Sequence, residues 1–206
     1  MNELSSFSSF NPKRILIVIS PAFIFYLFSL VISSQMGIES SLVLRDLRQI
    51  CEYPFFVGFL SSCGILLWAA ASAINLFVYL SGLVDKLYSK IIMLGFIFSI
   101  ILCLDDFFLL HDSYQIFQDI LYPLYSVLAL SLFFSIKNKL SSIQVSYLFT
   151  SCFLLASSIV LDIFQDFLPF SYDNVQIFEE GAKFIGIFLW LIFWMDFAKF
   201  SLIKSK

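Results

Sequence analysis

The chain has 206 residues, of which 60% are hydrophobic and 13% are charged, and its mean hydropathy is +0.94. A soluble globular domain has about 45–50% apolar and about 25% charged residues, so this composition excludes that class and predicts an integral membrane protein. The net charge of −3, with no basic or Gly/Arg-rich segment, also argues against nucleic acid as a partner. The lipid bilayer is the first partner that we expect.

Six apolar stretches, each about 20 residues long, predict six membrane-spanning helices in a single domain over residues 1–206. They cover about 14–34, 54–80, 91–110, 119–136, 144–166 and 178–200. The predicted fold class is all-α, a six-helix transmembrane bundle. Lys13 and Arg14 resemble the start of a signal peptide, but the apolar run that follows is too long for one, so we expect an uncleaved first helix.

Basic residues are unevenly divided between the two sides of this predicted bundle. Nine of the twelve fall on the same side as the N-terminus: Lys13, Arg14, Lys86, Lys90, Lys137, Lys139, Lys199, Lys204 and Lys206. Lys and Arg are retained on the cytoplasmic side, so both termini are predicted to be cytoplasmic. The expected location is a cell membrane, most simply a bacterial inner membrane, crossed several times.

A separate element precedes the second span, in the sequence "ESSLVLRDLRQICEY" (39–53). Its apolar residues repeat at helical spacing and its charged residues fall on the other side, which predicts a short interfacial helix over 39–51. Two roles stay open for it. It is an outer cap against lipid headgroups, or its Arg45 and Arg48 neutralise acidic residues on the same side of the membrane.

Acidic residues are concentrated on the outer side, where the third, fifth and sixth spans end or begin. Carboxylates at a membrane boundary are costly and repel one another, so a cation, protons or Lys and Arg side chains must neutralise them. Carboxylates with one imidazole suit Mn²⁺, Fe²⁺ or Zn²⁺, and a divalent metal ion is the candidate cofactor. The candidate ligands are Asp105, Asp106, His111, Asp112, Asp162, Asp166, Glu179 and Glu180.

Simpler roles compete with a metal site for some of these acids. Asp105 and Asp112 share a face only if the third helix continues to the second of them. Asp119 and Asp173 are typical N-cap residues for the fourth and sixth spans. Glu179 is spaced to pair with Lys183 on one helix face. Catalytic residues stay unknown; if the protein is an enzyme, a carboxylate or His111 would be its general base.

The stretch "LDDFFLLHD" (104–112) resembles the "LDE-x-x-x-x-HE" signature of a group of small polytopic bacterial membrane proteins. Their last helix begins "EE-x-x-E-x-x-G", which "FEEGAKFIG" (178–186) resembles. Asp105 and His111 match, whereas Asp106 stands where the group has Glu and Lys183 replaces its third Glu. The group has no assigned activity, so the resemblance implies one site shared by the third and sixth spans, without a reaction.

Three functions are therefore expected from the sequence. The first is a binding, sensing or transport protein whose outward-facing acid–histidine cluster holds a cation or protons. The second is a metal-dependent membrane enzyme that acts on lipid-like substrates. The third is an accessory or structural subunit that packs against a membrane-protein partner or a second copy of the chain. The sequence leaves open whether the protein is an enzyme.

Overall fold

The computed structural model describes residues 12–39, 42, 44, 50–54, 56–113, 115–136, 140–167 and 169–204, and all regular elements in these ranges are helical. The chain divides into two compact units between Val57 and Gly58. The all-α prediction is confirmed, and the prediction of a single domain stays a prediction.

The first unit contains helix α1, Pro12–Gln35, with Pro21 inside it. The helix ends where Gly37 adopts a left-handed conformation, with φ of 72°. The N–H of Gly37 donates to the carbonyl of Ser34 at 3.1 Å, and the N–H of Ile38 donates to the carbonyl of Ser33 at 2.9 Å. These two bonds satisfy carbonyls that the last turn leaves unpaired, and glycine takes the left-handed position without a side-chain clash.

The predicted interfacial helix over 39–51 falls largely on residues outside the described ones, including Arg45 and Arg48. Its two alternative roles therefore stay predictions.

The second unit holds five long helices and two short elements. The long helices are α2 (Phe59–Ser81), α3 (Lys86–Phe108), α5 (Gln115–Ile136), α6 (Ser142–Phe164) and α7 (Tyr172–Lys204). The short ones are α4 (Leu110–Ser113) and a 3₁₀ turn (Gln165–Phe167). A 23-residue helix such as α3 is about 34 Å long, enough to cross a hydrocarbon core of about 30 Å. All five are long and apolar enough to span a membrane.

Three predicted helix starts are wrong. Pro54 opens a turn, and α2 begins only after Gly58, whose φ is 65°. Helix α5 begins at Gln115, directly after α4, so Asp119 lies in its second turn and is not its N-cap. The carbonyl of Ser171 accepts the first N–H groups of α7, which moves the helix start to the residue before Asp173.

The close helix pairs of the second unit are α2 with α3, α2 with α7, α3 with α5, and α6 with α7. Short connections make neighbouring helices antiparallel, so the C-terminal ends of α3 and α6 meet the N-terminal ends of α2, α5 and α7. We name this the acidic end, because it carries Asp105, Asp106, Asp162 and Glu179. The opposite end carries the lysines that begin α3 and end α7, including Lys204, which lies 5.8 Å from the ring centre of Tyr88.

Aromatic side chains of α7 form the centre of the core. Trp190, Phe193, Trp194 and Phe197 are each at most 1% exposed. The ring of Trp190 meets that of Trp68 on α2 edge-on, with centroids 6.0 Å apart, and its Nε1–H donates to Ser99 Oγ on α3 at 2.9 Å. One side chain therefore ties three helices together, and its polar atom is satisfied where no water is available.

Glycine provides the space for these large rings. A methyl group built on Gly95 of α3 would lie 2.2 Å from ring carbons of Trp194, far inside van der Waals contact. Trp194 itself is 0% exposed, so its ring has nowhere to move. The missing side chain of Gly95 therefore leaves the room on α3 that the Trp194 ring of α7 occupies.

We therefore predict that Gly95→Ala destabilises the protein by about 1–3 kcal/mol, the usual range for overpacking a full core. The control is Gly181→Ala, because a methyl group on that helical glycine meets nothing within 4 Å. It should leave stability unchanged or raise it by up to about 1 kcal/mol, since alanine favours helix more than glycine does. Unfolding in a mild detergent measures both. Equal effects of the two substitutions would contradict this packing.

Candidate functional site

The site begins where α3 breaks. Leu109 adopts a left-handed conformation with φ of 50°, and its N–H donates to the backbone carbonyl of Asp105. This conformation is unfavourable by about 1–2 kcal/mol for a residue with a side chain. The break turns the chain into α4, so that His111 folds back over the end of α3. Strained backbone of this kind is found where the surrounding contacts hold it in place.

Asp105 supplies those contacts. Its Oδ1 accepts the backbone N–H of His111 at 2.9 Å, and its Oδ2 lies 2.9 Å from Nδ1 of the same ring. The hydroxyl of Tyr125 on α5 donates to Oδ2 at 2.6 Å. The Asp105 side chain is only 5% exposed. A carboxylate buried this deeply needs several donors, and it receives them from α4 and α5.

The pair fixes the chemistry of the imidazole. Asp105 accepts at Nδ1, so this nitrogen carries a proton and Nε2 holds the lone pair when the ring is neutral. A carboxylate behind a histidine ring is the usual way in which proteins orient a ring and raise its basicity for a metal or a proton. The His111 side chain is 14% exposed, partly open to its surroundings.

Asp106 makes a second, separate set of contacts. Its Oδ2 accepts the indole N–H of Trp68 at 2.9 Å, and its Oδ1 lies 2.8 Å from Nζ of Lys183 on α7. The Asp106 side chain is 12% exposed and that of Lys183 is 25% exposed. An ion pair so little exposed is weakly screened by water, so the ammonium group acts as a built-in counter-ion.

A third carboxylate faces the same region from α6. Asp162 Oδ2 accepts the hydroxyl of Tyr122 at 3.1 Å, and Gln118 Nε2 donates to that hydroxyl at 3.3 Å. The Tyr122 and His111 rings lie 6.5 Å apart, centroid to centroid. The hydroxyl thus joins α5 to α6 across the acidic end.

These groups line one cavity of about 210 Å³. Its polar lining is Asp105, Asp106, His111, Tyr122, Tyr125, Ser126, Ser158, Asp162, Glu179 and Lys183. The remaining lining is largely apolar: Trp68, Phe98, Leu102, Ala129, Cys152, Leu155, Ala156, Ile159 and Trp190. The cavity is large enough for several waters or for part of a small ligand.

Five of the eight predicted ligands line this cavity: Asp105, Asp106, His111, Asp162 and Glu179. One ligand atom from each of the first three lies within 4.8 Å of the others, a spacing that can hold a metal ion. Glu180 follows Glu179 on α7 and does not line the cavity among the described residues. The side chains of Asp112 and Asp166 lie outside the described ones.

The structure bears on two relations between residues that the sequence suggested. Helix α3 ends at Phe108, so the condition for a shared face of Asp105 and Asp112 is not met. Lys183 forms an ion pair with Asp106 on α3, at 2.8 Å, a contact between helices that the sequence did not predict. The predicted pairing of Lys183 with Glu179 on its own helix stays a prediction.

Sequence reasoning missed three donors: Trp68, Tyr122 and Tyr125. Each is an aromatic residue within an apolar stretch, where it resembles any other core side chain. Their N–H and O–H groups could have indicated this role, because such groups usually have a hydrogen-bond partner when they are buried.

A family model described as Domain of unknown function (DUF8692) matches residues 16–197. The chain belongs to this family. The match runs from α1 to near the end of α7 and includes every residue of the cavity. No curated protein and no solved structure matches the chain. The family description assigns no activity, so function must be argued from the site itself.

We predict that Tyr125→Phe lowers the stability of the folded protein by about 1.5–3 kcal/mol, because it removes a donor from a buried carboxylate. The matched control is Tyr147→Phe on α6, a partly buried tyrosine for which the described residues provide no side-chain hydrogen bond, expected within about 0.5 kcal/mol of the parent. Denaturant unfolding in detergent gives both values. A Tyr125 effect no larger than that of the control would contradict the role given to this hydroxyl.

Proposed function

We propose that this membrane protein binds a cation, either a divalent metal ion or protons, at the polar part of its cavity, in a binding, sensing or transport role. One observation carries the proposal: buried Asp105 holds the ring of His111 through both its backbone N–H and its Nδ1. A ring held in this way presents Nε2 as a fixed basic nitrogen. A ring held only for packing needs no such double contact.

The donor set favours a transition metal over calcium or magnesium. His111 supplies one nitrogen, and one carboxylate oxygen each of Asp105 and Asp106 lies within 4.8 Å of it and of the other. Asp162 and Glu179 line the same cavity from α6 and α7. One imidazole with carboxylates suits Mn²⁺, Fe²⁺ or Zn²⁺, whereas Ca²⁺ and Mg²⁺ prefer oxygens alone. In this proposal Asp105 orients the ring, and Glu180, next to Glu179 on α7, raises the cation concentration near the cavity. The predictions for Asp112 and Asp166 as ligands stay predictions.

The distribution of lysines supports an outward-facing site. Lys86 and Lys90 begin α3, and Lys204 ends α7, all at the end of the second unit opposite to the acidic end. Lys and Arg are retained on the cytoplasmic side of a membrane. With that end in the cytoplasm, the cavity faces outward and takes its cation from outside the cell.

Lys183 gives the proposed site a resident competitor. Its ammonium group already lies 2.8 Å from Asp106 Oδ1, at an oxygen that an incoming cation would use. A divalent ion must therefore share Asp106 with this lysine or displace it. Such competition makes cation binding reversible, which suits sensing or transport better than a permanent structural metal.

The central test compares metal binding in the parent, His111→Ala and Asp105→Asn, with Asp196→Asn as the control because Asp196 lies on α7 toward the opposite end. Mn²⁺ or Zn²⁺ should raise the melting temperature of the parent and of the control, since a ligand that binds only the folded state stabilises it. Both site variants should lose most of this stabilisation. Melting temperatures and metal content after dialysis provide the readout. A parent that neither metal stabilises, and that purifies without metal, would contradict a metal site.

A second prediction concerns Lys183, which competes with an incoming cation for Asp106. Lys183→Met removes a positive charge next to Asp106, so the affinity for Mn²⁺ should rise by about tenfold, equivalent to about 1.4 kcal/mol. Lys199→Met, an exposed lysine on the same helix, should leave affinity unchanged. Titration followed by calorimetry or by melting temperature distinguishes the two. Weaker binding in Lys183→Met than in Lys199→Met would rule out competition.

A further inference from the structure

The cavity lies between two helices that are consecutive in the chain but poorly packed against each other. Helices α5 and α6 are not among the close helix pairs of the described residues, since α5 packs against α3 and α6 packs against α7. The lining from these two helices includes small residues on both sides, Ser126 and Ala129 on α5 and Ala156 and Ser158 on α6, beside larger ones such as Tyr125. Larger side chains at the small positions would narrow the gap.

Two residues of the lining also reach the surface. Ser126 and Ala156 line the cavity and are exposed at the surface of the second unit. Their neighbours on the same surface are large, exposed and apolar: Val127 is 59% exposed and Val160 is 53% exposed. Both helices are long and apolar enough to span a membrane. The surface of a membrane-spanning helix at the depth of the hydrocarbon core meets acyl chains and not water. We therefore infer that an acyl chain can reach the cavity between Ser126 and Ala156.

The cavity changes from apolar to polar along its length. On α6 it extends from Cys152 to Asp162, ten residues apart in the sequence, which is about 15 Å of helix. Phe98, Leu155 and Cys152 line the apolar part, while the carboxylates and His111 line the polar part. This arrangement matches an amphiphile that lies along the helices with its head group at the acidic end.

The charges select the kind of head group. Among the described residues, the carboxylates of Asp105, Asp106, Asp162 and Glu179 line the polar part together with one ammonium and one imidazole. This excess of negative charge favours a positively charged head. A primary ammonium is already accommodated there, because Lys183 Nζ lies 2.8 Å from Asp106 Oδ1. Tyr122, Tyr125 and Trp68 add aromatic rings, which also attract cations.

We propose that this cavity binds a membrane lipid with a primary amine in its head group, one acyl chain of which enters through the gap between α5 and α6. The inference rests on the proposed function in one respect: the lipid ammonium is a cation bound at the same polar part. The gap and its lateral opening are independent of whether a metal also binds there.

The three tryptophans of the chain make the test direct. All three are at most 2% exposed, and Trp68 and Trp190 line the cavity. An acyl chain that carries bromine atoms quenches tryptophan fluorescence on close approach, so a chain inside the cavity quenches these residues more than the surrounding bilayer does. The protein is placed in vesicles of brominated phosphatidylethanolamine, phosphatidylcholine or phosphatidylglycerol, all brominated at the same acyl position.

In the parent we expect the strongest quenching with phosphatidylethanolamine, whose amine is primary, and the weakest with anionic phosphatidylglycerol. Ala156→Phe fills the gap and should abolish the difference among lipids. The matched control, Ala73→Phe, adds the same ring at an exposed alanine of α2 outside the cavity and should keep the difference. Ala129→Leu is a smaller gap-filling variant that serves if Ala156→Phe does not fold.

Equal quenching by the three lipids in the parent would overturn the amine-lipid proposal, as would an unchanged difference in every folded gap-filling variant. Metal stabilisation of the same variants separates this outcome from the proposed function. Stabilisation by Mn²⁺ with no lipid preference would support the metal site and contradict the lipid proposal. A lipid preference that Ala156→Phe abolishes, in a parent that no metal stabilises, would support the lipid proposal and contradict the metal site.

Discussion

The acidic end depends on the burial of one carboxylate. Asp105 is 4% exposed on an apolar helix, and its oxygens accept two contacts from His111 and one from Tyr125. An uncompensated carboxylate in this position would be unfavourable by several kcal/mol, so the chain around it is arranged to supply donors. The end of α3, the strained turn and the position of α5 all follow from this requirement.

Asp105 and its neighbour Asp106 lie in different environments. Asp105 faces a histidine and a tyrosine, while Asp106, the next residue, faces a tryptophan and a lysine from two other helices. Adjacent residues on a helix point about 100° apart, which allows this division. Four helices of the second unit therefore converge on a single dipeptide. Changes at α2, α5 or α7 can each alter the environment of the His111 ring.

Much of the fold was predictable from the sequence, because hydrophobic runs of membrane length need no tertiary information. The sequence also predicted that acidic residues of α3, α6 and α7 come together, because the helix ends that carry them lie on the same side of the membrane. The break at Leu109 was not, because leucine gives no turn signal and the left-handed conformation usually marks glycine. The Lys183–Asp106 pair was missed because spacing within one helix suggests Glu179 and gives no information on contacts between helices.

The length of helix α7 affects how the acidic end meets the bilayer. It has 33 residues, so it is about 50 Å long, well beyond a hydrocarbon core of about 30 Å. The helix must therefore extend beyond that core at one or both ends, or tilt. Glu179 and Glu180 lie near its start and Lys183 one turn further on, so the hydration of the Lys183–Asp106 pair depends on where the hydrocarbon boundary crosses this part of the helix. A thicker bilayer would immerse the pair and strengthen it, while a thinner one would hydrate it, so membrane thickness itself becomes a variable that adjusts the site.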